Sequence, residues 1–314
     1  MDEEVPSITG AATRRSADTA PGTSADRALP PGSMLHGYRL RRTLGSGGFG
    51  ITYLAEDPML CRPVVIKENF PASACRRNAD SPLVTLVDED HRDAFDWALR
   101  NFLREARLLA SLAHPGIAQV FSYFSANNTA YYVTEYIEGP SAANLVQDYA
   151  RHELNIPQEA LFALMIRILD ALDYIHDRRI LHCDIKPDNI LITKAGHPVL
   201  IDFGAAHELN VLSGDGYVES PGFTPPEQVS SGGKLGPWTD LYATGAALYY
   251  LLTLHCLPSS RQRELYDTVE LLETNPRLRS LYHPRILASI DRAISPDPRA
   301  RFQSVGSWIE ALRI

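Results

Sequence analysis

Cysteine is scarce in this 314-residue sequence, which contains four such residues. Cys61, Cys75, Cys183 and Cys256 lack the close pairs that metal sites and disulfide frameworks use. We therefore expect four free thiols and a reducing compartment, the cytoplasm.

Long apolar runs and a secretory signal are also lacking. The longest apolar stretch, Leu241 to Leu254, is shorter than the roughly 20 residues that cross a bilayer. The N-terminus has neither the basic head nor the apolar segment of a signal peptide. The sequence predicts a soluble protein in which the stretch 241–254 is a buried core helix.

Basic residues do not predominate. Thirty Lys and Arg residues stand against 38 Asp and Glu residues, a formal net charge of −8. This sign argues against nucleic acid as the main partner, because phosphate backbones attract basic surfaces. The length predicts about two domains or one bilobal domain.

Large apolar residues are few at the N-terminus. Residues 1–34 consist mostly of Ala, Thr, Ser, Pro and Gly, and burial cannot offset the entropy of ordering them. We expect a disordered tail over 1–34 and a folded region over 35–314.

The folded region divides into two parts by pattern. Strand-like runs and one amphipathic helix, Phe95 to Ala113, occupy residues 35–138. Helical patterns dominate residues 139–314. The predicted strands are 38–45, 51–55, 63–67, 117–123 and 130–137, and the predicted later helices are 160–176, 238–254, 284–293 and 304–312. The sequence predicts an α+β fold with a strand-rich N-terminal lobe and a helical C-terminal lobe.

A glycine-rich turn joins the first two predicted strands. In Gly45-Ser46-Gly47-Gly48-Phe49-Gly50, the glycines would let the backbone approach phosphates without a Cβ in the way. A dinucleotide-binding motif is less consistent, because there the glycines open a helix. A plain hairpin turn remains the alternative.

Two charged residues could act together near this turn. Lys67 ends the strand 63–67, where a cation can reach phosphates held under the glycines. Glu105, on the predicted helix, could position its ammonium group. Taken separately, the lysine could be a solvated charge and the glutamate a surface residue.

The most informative segment is His182-Cys183-Asp184-Ile185-Lys186-Pro187-Asp188-Asn189, followed by Asp202-Phe203-Gly204. Here Asp184 can accept a hydroxyl proton and Lys186 can steady a γ-phosphate. Asn189 and Asp202 can hold divalent metal against the phosphates. Such positioning and charge neutralisation are what phosphoryl transfer requires.

These motifs resemble those of the eukaryotic-like protein kinase superfamily, in particular the bacterial Ser/Thr kinases. The resemblance covers Tyr38 to Leu312. It implies a bilobal kinase fold with a small antiparallel-sheet N-lobe, about 35–138, and a larger helical C-lobe, about 139–314. It also implies transfer of the γ-phosphate of ATP to Ser or Thr hydroxyls of proteins, including autophosphorylation.

The resemblance implies a role for each motif residue. Catalysis falls to Asp184, Lys186, Lys67 and Glu105, and Mg²⁺ or Mn²⁺ ligation to Asn189 and Asp202. Thr134 is a small gatekeeper, and Glu135 and Ile137 bind the adenine edge through backbone groups. The full expected nucleotide-contact set is Gly45, Ser46, Gly47, Gly48, Phe49, Gly50, Thr52, Val65, Lys67, Thr134, Glu135 and Ile137.

Three further contacts are implied. Asp240 should brace the catalytic loop, and Glu227 should bridge to Arg301. Ser220 should contact Asp184 and Lys186, which favours Ser/Thr over Tyr as the acceptor.

Two features depart from the family. Cys183 replaces an arginine that pairs with a phosphorylated activation segment, so we expect activity without that phosphorylation. Asp184 should raise the pKa of Cys183 and leave an inert thiol. The segment from Asn69 to Asp93 is longer than ordinary loops, and we expect a solvated insertion, with a regulatory or docking element as the alternative.

Two other functions are weighed against the kinase. A pseudokinase scaffold would lack at least one of Lys67, Asp184, Asn189 and Asp202, and all four are present. A small-molecule phosphotransferase is disfavoured by the segment 220–227. We expect regulatory input from the tail, the insertion, a dimer or a separate partner.

Overall fold

A computed structural model describes residues 27–48, 50–208, 219–230 and 232–313. Most of the described strands lie in the first half of the chain and most of the described helices in the second half, as the pattern of the sequence predicts. The order of elements therefore gives a sheet-containing N-terminal lobe and a helical C-terminal lobe.

The N-terminal lobe is built on a six-stranded antiparallel sheet in the order β1-β2-β3-β4-β8-β7. Side chains alternate along its central strands, so Ile51, Tyr53 and Ala55 of β3 enter the core. A separate hairpin pairs β5 with β6. The strands are β1 (Met34–Leu35), β2 (Tyr38–Ser46), β3 (Gly50–Asp57), β4 (Arg62–Asn69), β5 (Cys75–Arg77), β6 (Val84–Leu86), β7 (Val120–Ala126) and β8 (Thr129–Glu135).

One long helix, α1 (Arg92–Ala110), packs against β4, β7 and β8. Phe95, Ala98, Ala106 and Leu109 form its buried face, as the spacing of the apolar residues predicts. The helix is shifted toward the N-terminus relative to the predicted range 95–113, because Ser111 already lies at its C-cap.

The predicted tail is too long. Leu29 is buried in the core of the N-terminal lobe, and its backbone amide donates to the Tyr53 hydroxyl at 3.1 Å. Met34 and Leu35 pair with β2. Disorder is therefore wrong for residues 27–34, because the lobe offers an apolar surface that their own composition does not reveal. Residues 1–26 lie outside the described residues.

The insertion between β4 and α1 is also more ordered than expected. Phe70, Ala74, Cys75 and Val84 are buried in the core of the N-terminal lobe. A 3-10 helix, Glu89–His91, leads from the β5–β6 hairpin into α1. A solvated insertion is therefore wrong for these apolar residues, and the segment is part of the lobe.

The C-terminal lobe is helical. Most of α5 is buried, as expected for a helix that is apolar around its circumference. The main helices start or end within a few residues of their predicted bounds. They are α2 (Ala142–Arg151), α3 (Gln158–His176), α4 (Pro226–Val229), α5 (Pro237–Thr253), α6 (Ser260–Leu265), α7 (Pro276–Leu281), α8 (Pro284–Ala293) and α9 (Val305–Ala311).

Two short strand pairs follow α3 in the sequence of the C-terminal lobe and flank the motif residues. They are β9 (Ile180–Leu181) with β12 (His207–Glu208), and β10 (Ile190–Ile192) with β11 (Pro198–Leu200). The segments 182–189 and 201–206 are thereby fixed at both ends. Among the described residues, no helix has the length and apolarity that a membrane crossing needs.

Candidate active site

Lys67 lies between two carboxylates from different elements. Its Nζ is 2.8 Å from Asp202 Oδ1 and 3.4 Å from Glu105 Oε1. The pairing of the lysine with Glu105, which sequence reasoning proposed, is present. The strand lysine, the α1 glutamate and the aspartate after β11 therefore meet at one point.

The charges at this point set the protonation of all three groups. Burial acts to lower the pKa of Lys67, but Glu105 and Asp202 raise it well above its usual value. Lys67 in turn lowers the pKa of Asp202 to about 2. Burial raises the pKa of Glu105 against the opposing effect of Lys67. At neutral pH the site thus holds an ammonium group beside an ionised Asp202.

The loop 182–189, the expected catalytic loop, places Asp184 at the centre of a second cluster. Its Oδ1 accepts a hydrogen bond from Ser220 Oγ at 2.7 Å, and its Oδ2 accepts one from Lys186 Nζ at 2.8 Å. Lys186 Nζ also lies 3.0 Å from Ser220 Oγ. Asn189 Nδ2 donates to the Asp184 carboxylate and backbone oxygen, each at 2.9 Å. The expected contact of Ser220 with both charged residues is present.

The buried side chain of Asp240 supports this loop through hydrogen bonds. Asp240 accepts backbone N–H bonds from His182 and Cys183, each at 2.9 Å, and a bond from the His176 ring at 2.8 Å. Burial acts to raise the pKa of Asp240, but these donors hold it below its usual value. The bracing role expected for Asp240 therefore has a clear geometric basis.

Cys183 occupies a strained and enclosed position. Its φ is +61°, and its carbonyl oxygen accepts a bond from the Gln228 side chain at 2.8 Å. Burial, followed by Asp240, Glu227 and Asp184, raises the pKa of its thiol well above the usual value. The direction expected from the sequence is confirmed, but burial rather than Asp184 is the main cause.

Glu227, at the end of the expected activation segment from Asp202 to Glu227, forms a buried ion pair. Glu227 accepts bonds from Arg301 at 2.8 and 3.1 Å and from the Thr239 hydroxyl at 3.0 Å. The expected bridge from Glu227 to Arg301 is confirmed. Since Arg301 follows α8 and Glu227 lies in α4, the pair links two distant segments of the C-terminal lobe.

A cavity of about 520 Å³ opens between the glycine turn, α1 and the catalytic loop. It brings together residues of the glycine turn, the Lys67–Glu105 pair, the segment 182–189 and Asp202, although Asn189 is not among its described lining residues. Those residues are Gly45, Ser46, Gly47, Gly48, Gly50, Thr52, Lys67, Glu105, Asp184, Lys186 and Asp202. Phe49, which was also expected there, lies outside the described residues.

The four expected adenine contacts do not line this cavity. Val65, Thr134, Glu135 and Ile137 are not among its described lining residues. Val65 pairs with Thr134 across β4 and β8, so two of the expected nucleotide contacts are neighbours. Their roles in nucleotide binding stay predictions.

The donor set suits a hard cation. Asp202 is ionised and its side chain is 45% exposed. Asn189 donates its amide nitrogen to Asp184, and its amide oxygen is the atom that could ligate a cation. Oxygen ligands of this kind are typical of Mg²⁺ sites that share the ion with phosphates. No group of three or more His, Cys, Asp or Glu side chains in the described ranges could hold a metal. The residues therefore fit a cation that phosphate oxygens help to ligate.

Sequence reasoning missed two residues of the site. Tyr132 donates to Glu105 Oε1 at 2.7 Å, and Gln228 supports the carbonyl of Cys183. The two β4–β8 partners Lys67 and Tyr132 are 65 positions apart, so no local spacing reveals their contact. The alternation along β8 places Tyr132 on the same side as Thr134, which is the one signal the sequence offered.

Comparisons with known proteins agree with this geometry. The family model of the protein kinase domain matches residues 38–302 of this chain. Serine/threonine-protein kinase PknA of Nostoc sp. is 34% identical over 88% of this chain and 47% of its own length. Serine/threonine-protein kinase C of Synechocystis sp. is 33% identical over 88% of this chain and 49% of its own length. The chain spans about half the length of these curated relatives.

Solved structures show the same likeness. The apo form of PpkA-294 has a TM-score of 0.80 and 35% identity, and the match covers 91% of this chain and 100% of the other. A C20A mutant of the PknI kinase domain of Mycobacterium tuberculosis has a TM-score of 0.62 and 25% identity, with coverage of 91% and 98%. The bilobal fold expected from the sequence is thereby confirmed, and the chain belongs to the protein kinase domain family.

Proposed function

We propose that this protein is an ATP-dependent serine/threonine protein kinase that transfers the γ-phosphate to hydroxyl groups of proteins, including its own. The observation that carries the proposal is the cluster of Asp184, Lys186 and Ser220 in one cleft with Lys67 and Asp202. The Ser220 hydroxyl donates to Asp184 at 2.7 Å, so this carboxylate accepts a hydrogen bond from a hydroxyl group of the kind that the proposed acceptor carries.

Each residue has a distinct role in this proposal. Asp184 accepts the proton of the acceptor hydroxyl as the new O–P bond forms. Lys186, whose ammonium group lies 2.8 Å from the Asp184 carboxylate, steadies the transferred phosphoryl group. Lys67, positioned by Glu105, neutralises charge on the nucleotide phosphates. The glycine turn encloses the phosphates with backbone amides.

Kinase domains use ATP, typically with a divalent metal ion. We propose Mg²⁺ or Mn²⁺ as that ion and Asn189 and Asp202 as its protein ligands. When bound, the ion supplies neutralisation of phosphate charge and a fixed orientation of the phosphates. The low pKa of Asp202 supports this assignment, because a ligand carboxylate must be ionised.

Two further proposals concern the adenine site and the cellular location. We propose that Val65, Thr134, Glu135 and Ile137 contact the base, supported by the pairing of β4 with β8 next to Lys67. We also propose a cytoplasmic location, supported by the four free cysteines.

Phosphoamino-acid analysis tests the proposal. The protein is incubated with Mg·ATP labelled at the γ-phosphate, with a generic protein substrate in one sample and alone in another. The expected result is label on serine and threonine. Label on tyrosine alone would overturn the acceptor class, and the absence of transfer together with tight Mg·ATP binding would favour a pseudokinase scaffold.

A further inference from the structure

Two residues of α1, one helical turn apart, face Tyr132 of β8. The rings of Phe102 and Tyr132 have centroids 4.8 Å apart, and the Tyr132 hydroxyl donates to Glu105 Oε1 at 2.7 Å. Tyr132 is fully buried. Its side chain thus joins the sheet to α1 at the turn that carries the glutamate.

The hydroxyl bond is the closer of the two contacts that Glu105 Oε1 makes. Lys67 Nζ reaches the same oxygen at 3.4 Å, and it lies nearer to Asp202, at 2.8 Å. Of these two partners, Tyr132 is therefore the nearer to Glu105, and Lys67 is shared between Glu105 and Asp202.

The strand register explains why one tyrosine can serve both partners. Lys67 and Tyr132 are directly paired on β4 and β8, so their side chains leave the sheet on one face. The Lys67 ammonium lies 5.5 Å from the centre of the Tyr132 ring. The ring contacts the lysine and the hydroxyl contacts the glutamate.

We propose that Tyr132 is a positioning residue for phosphoryl transfer, whose hydroxyl holds Glu105 and α1 in the place where Glu105 orients Lys67. This inference rests on the proposed kinase function. Tyr132 touches neither the nucleotide nor the acceptor in this role and acts through Glu105.

The neighbouring residue provides a matched control. Tyr131 is equally buried, and its hydroxyl donates to Glu68 on the opposite face of the sheet. Glu68 pairs there with Arg77 and Tyr53, away from Lys67 and Glu105. Tyr131→Phe and Tyr132→Phe remove the same atom from adjacent positions, but only the second touches the Glu105 contact.

The test compares wild type, Tyr132→Phe and Tyr131→Phe in Mg·ATP-dependent phosphorylation of a generic protein. We expect Tyr132→Phe to lower kcat about tenfold, the effect of losing one hydrogen bond to a charged group. KM for ATP should stay within about twofold, because the proposed adenine contacts are unchanged. Tyr131→Phe should keep the wild-type kcat.

Two further measurements separate positioning from general destabilisation. In a Glu105→Gln background, Tyr132→Phe should change kcat less than about twofold, because the bond is already weakened. Hydrogen exchange of the backbone amides of residues 102–109 should be faster in Tyr132→Phe and unchanged in Tyr131→Phe.

Wild-type kcat and wild-type exchange in Tyr132→Phe would overturn the inference, as would an equal loss of kcat in both tyrosine variants. If the wild type transfers no phosphate, the proposed function fails, and the exchange measurement alone decides whether Tyr132 holds α1.

Discussion

The Lys67 ammonium lies 2.8 Å from the Asp202 carboxylate, nearer than the 3.4 Å that separates it from Glu105. The residue that sequence reasoning paired with the helix glutamate is thus bound more closely to the expected metal ligand. Because this pair favours the ionised carboxylate, Asp202 is ready to bind a cation over the whole physiological pH range.

The first prediction concerns the titration of Asp202. Its pKa should be about 2, against an ordinary value of 3.8. Since the folded-state pKa is lowered, the stability contributed by the Lys67 pair is present above pH 3.8 and is lost as the pH falls toward 2. NMR titration of the Asp202 carboxyl carbon measures this value directly.

Replacement of the lysine provides the control for that titration. Lys67→Met should raise the pKa of Asp202, because the charge of Lys67 is the largest of the effects that lower it. Lys194→Met removes an exposed lysine that pairs with Glu138 and should leave it unchanged. An equal pKa of Asp202 in Lys67→Met and wild type would contradict the assignment of the lowered pKa to Lys67.

The second prediction concerns the buried pair of Glu227 and Arg301. Arg301→Met should lower the free energy of unfolding by about 3–5 kcal/mol, because Glu227 is then left buried without its cation. Urea unfolding measures the change. Arg299→Met, two positions away and exposed, should change it by less than about 0.5 kcal/mol. Equal effects of the two substitutions would contradict the prediction.

The third prediction distinguishes two glycines of the turn. A Cβ on Gly50 would lie 2.5 Å from the backbone oxygen of Glu68, whereas a Cβ on Gly47 meets nothing within 4 Å. Gly50→Ala should therefore lower the free energy of unfolding by roughly 1–3 kcal/mol. Gly47→Ala should keep the wild-type unfolding midpoint. Denaturant unfolding of both variants checks this, and an unchanged midpoint in Gly50→Ala would be the contrary result.

The fourth prediction follows from Cys183. Its buried thiol stands where the resemblance to the kinase family implies an arginine that pairs with a phosphate, and a neutral thiol cannot form that charge-assisted contact. Phosphatase-treated protein should keep its kinase activity. Loss of most activity, restored by one phosphate between Phe203 and Pro225, would contradict it.

The motif residues could be predicted from the sequence because chemistry fixes their types and spacing. Asp184, Lys186 and Asn189 lie within six positions, and one rigid loop keeps them together. The long helices were predictable for a similar reason, since apolar periodicity is a local property of the chain. Their ends were less certain, as α1 shows.

Contacts between distant segments could not be predicted in the same way. Tyr132 meets Glu105 because β8 and α1 pack in one register, and this depends on the whole lobe. Leu29 and the β5–β6 hairpin are ordered by apolar surface that the rest of the lobe supplies. Their own composition, rich in small and polar residues, points toward disorder or a solvated loop.

The most direct measurement of the central claim is γ-phosphate transfer from Mg·ATP by wild type and Asp184→Asn. Asp177→Asn, an exposed substitution of the same kind at the end of α3, serves as the control. We expect phosphate on serine and threonine with the wild type and the control, and a loss of at least about 100-fold in Asp184→Asn, because general-base catalysis contributes that much. Equal transfer by Asp184→Asn and wild type would contradict the account.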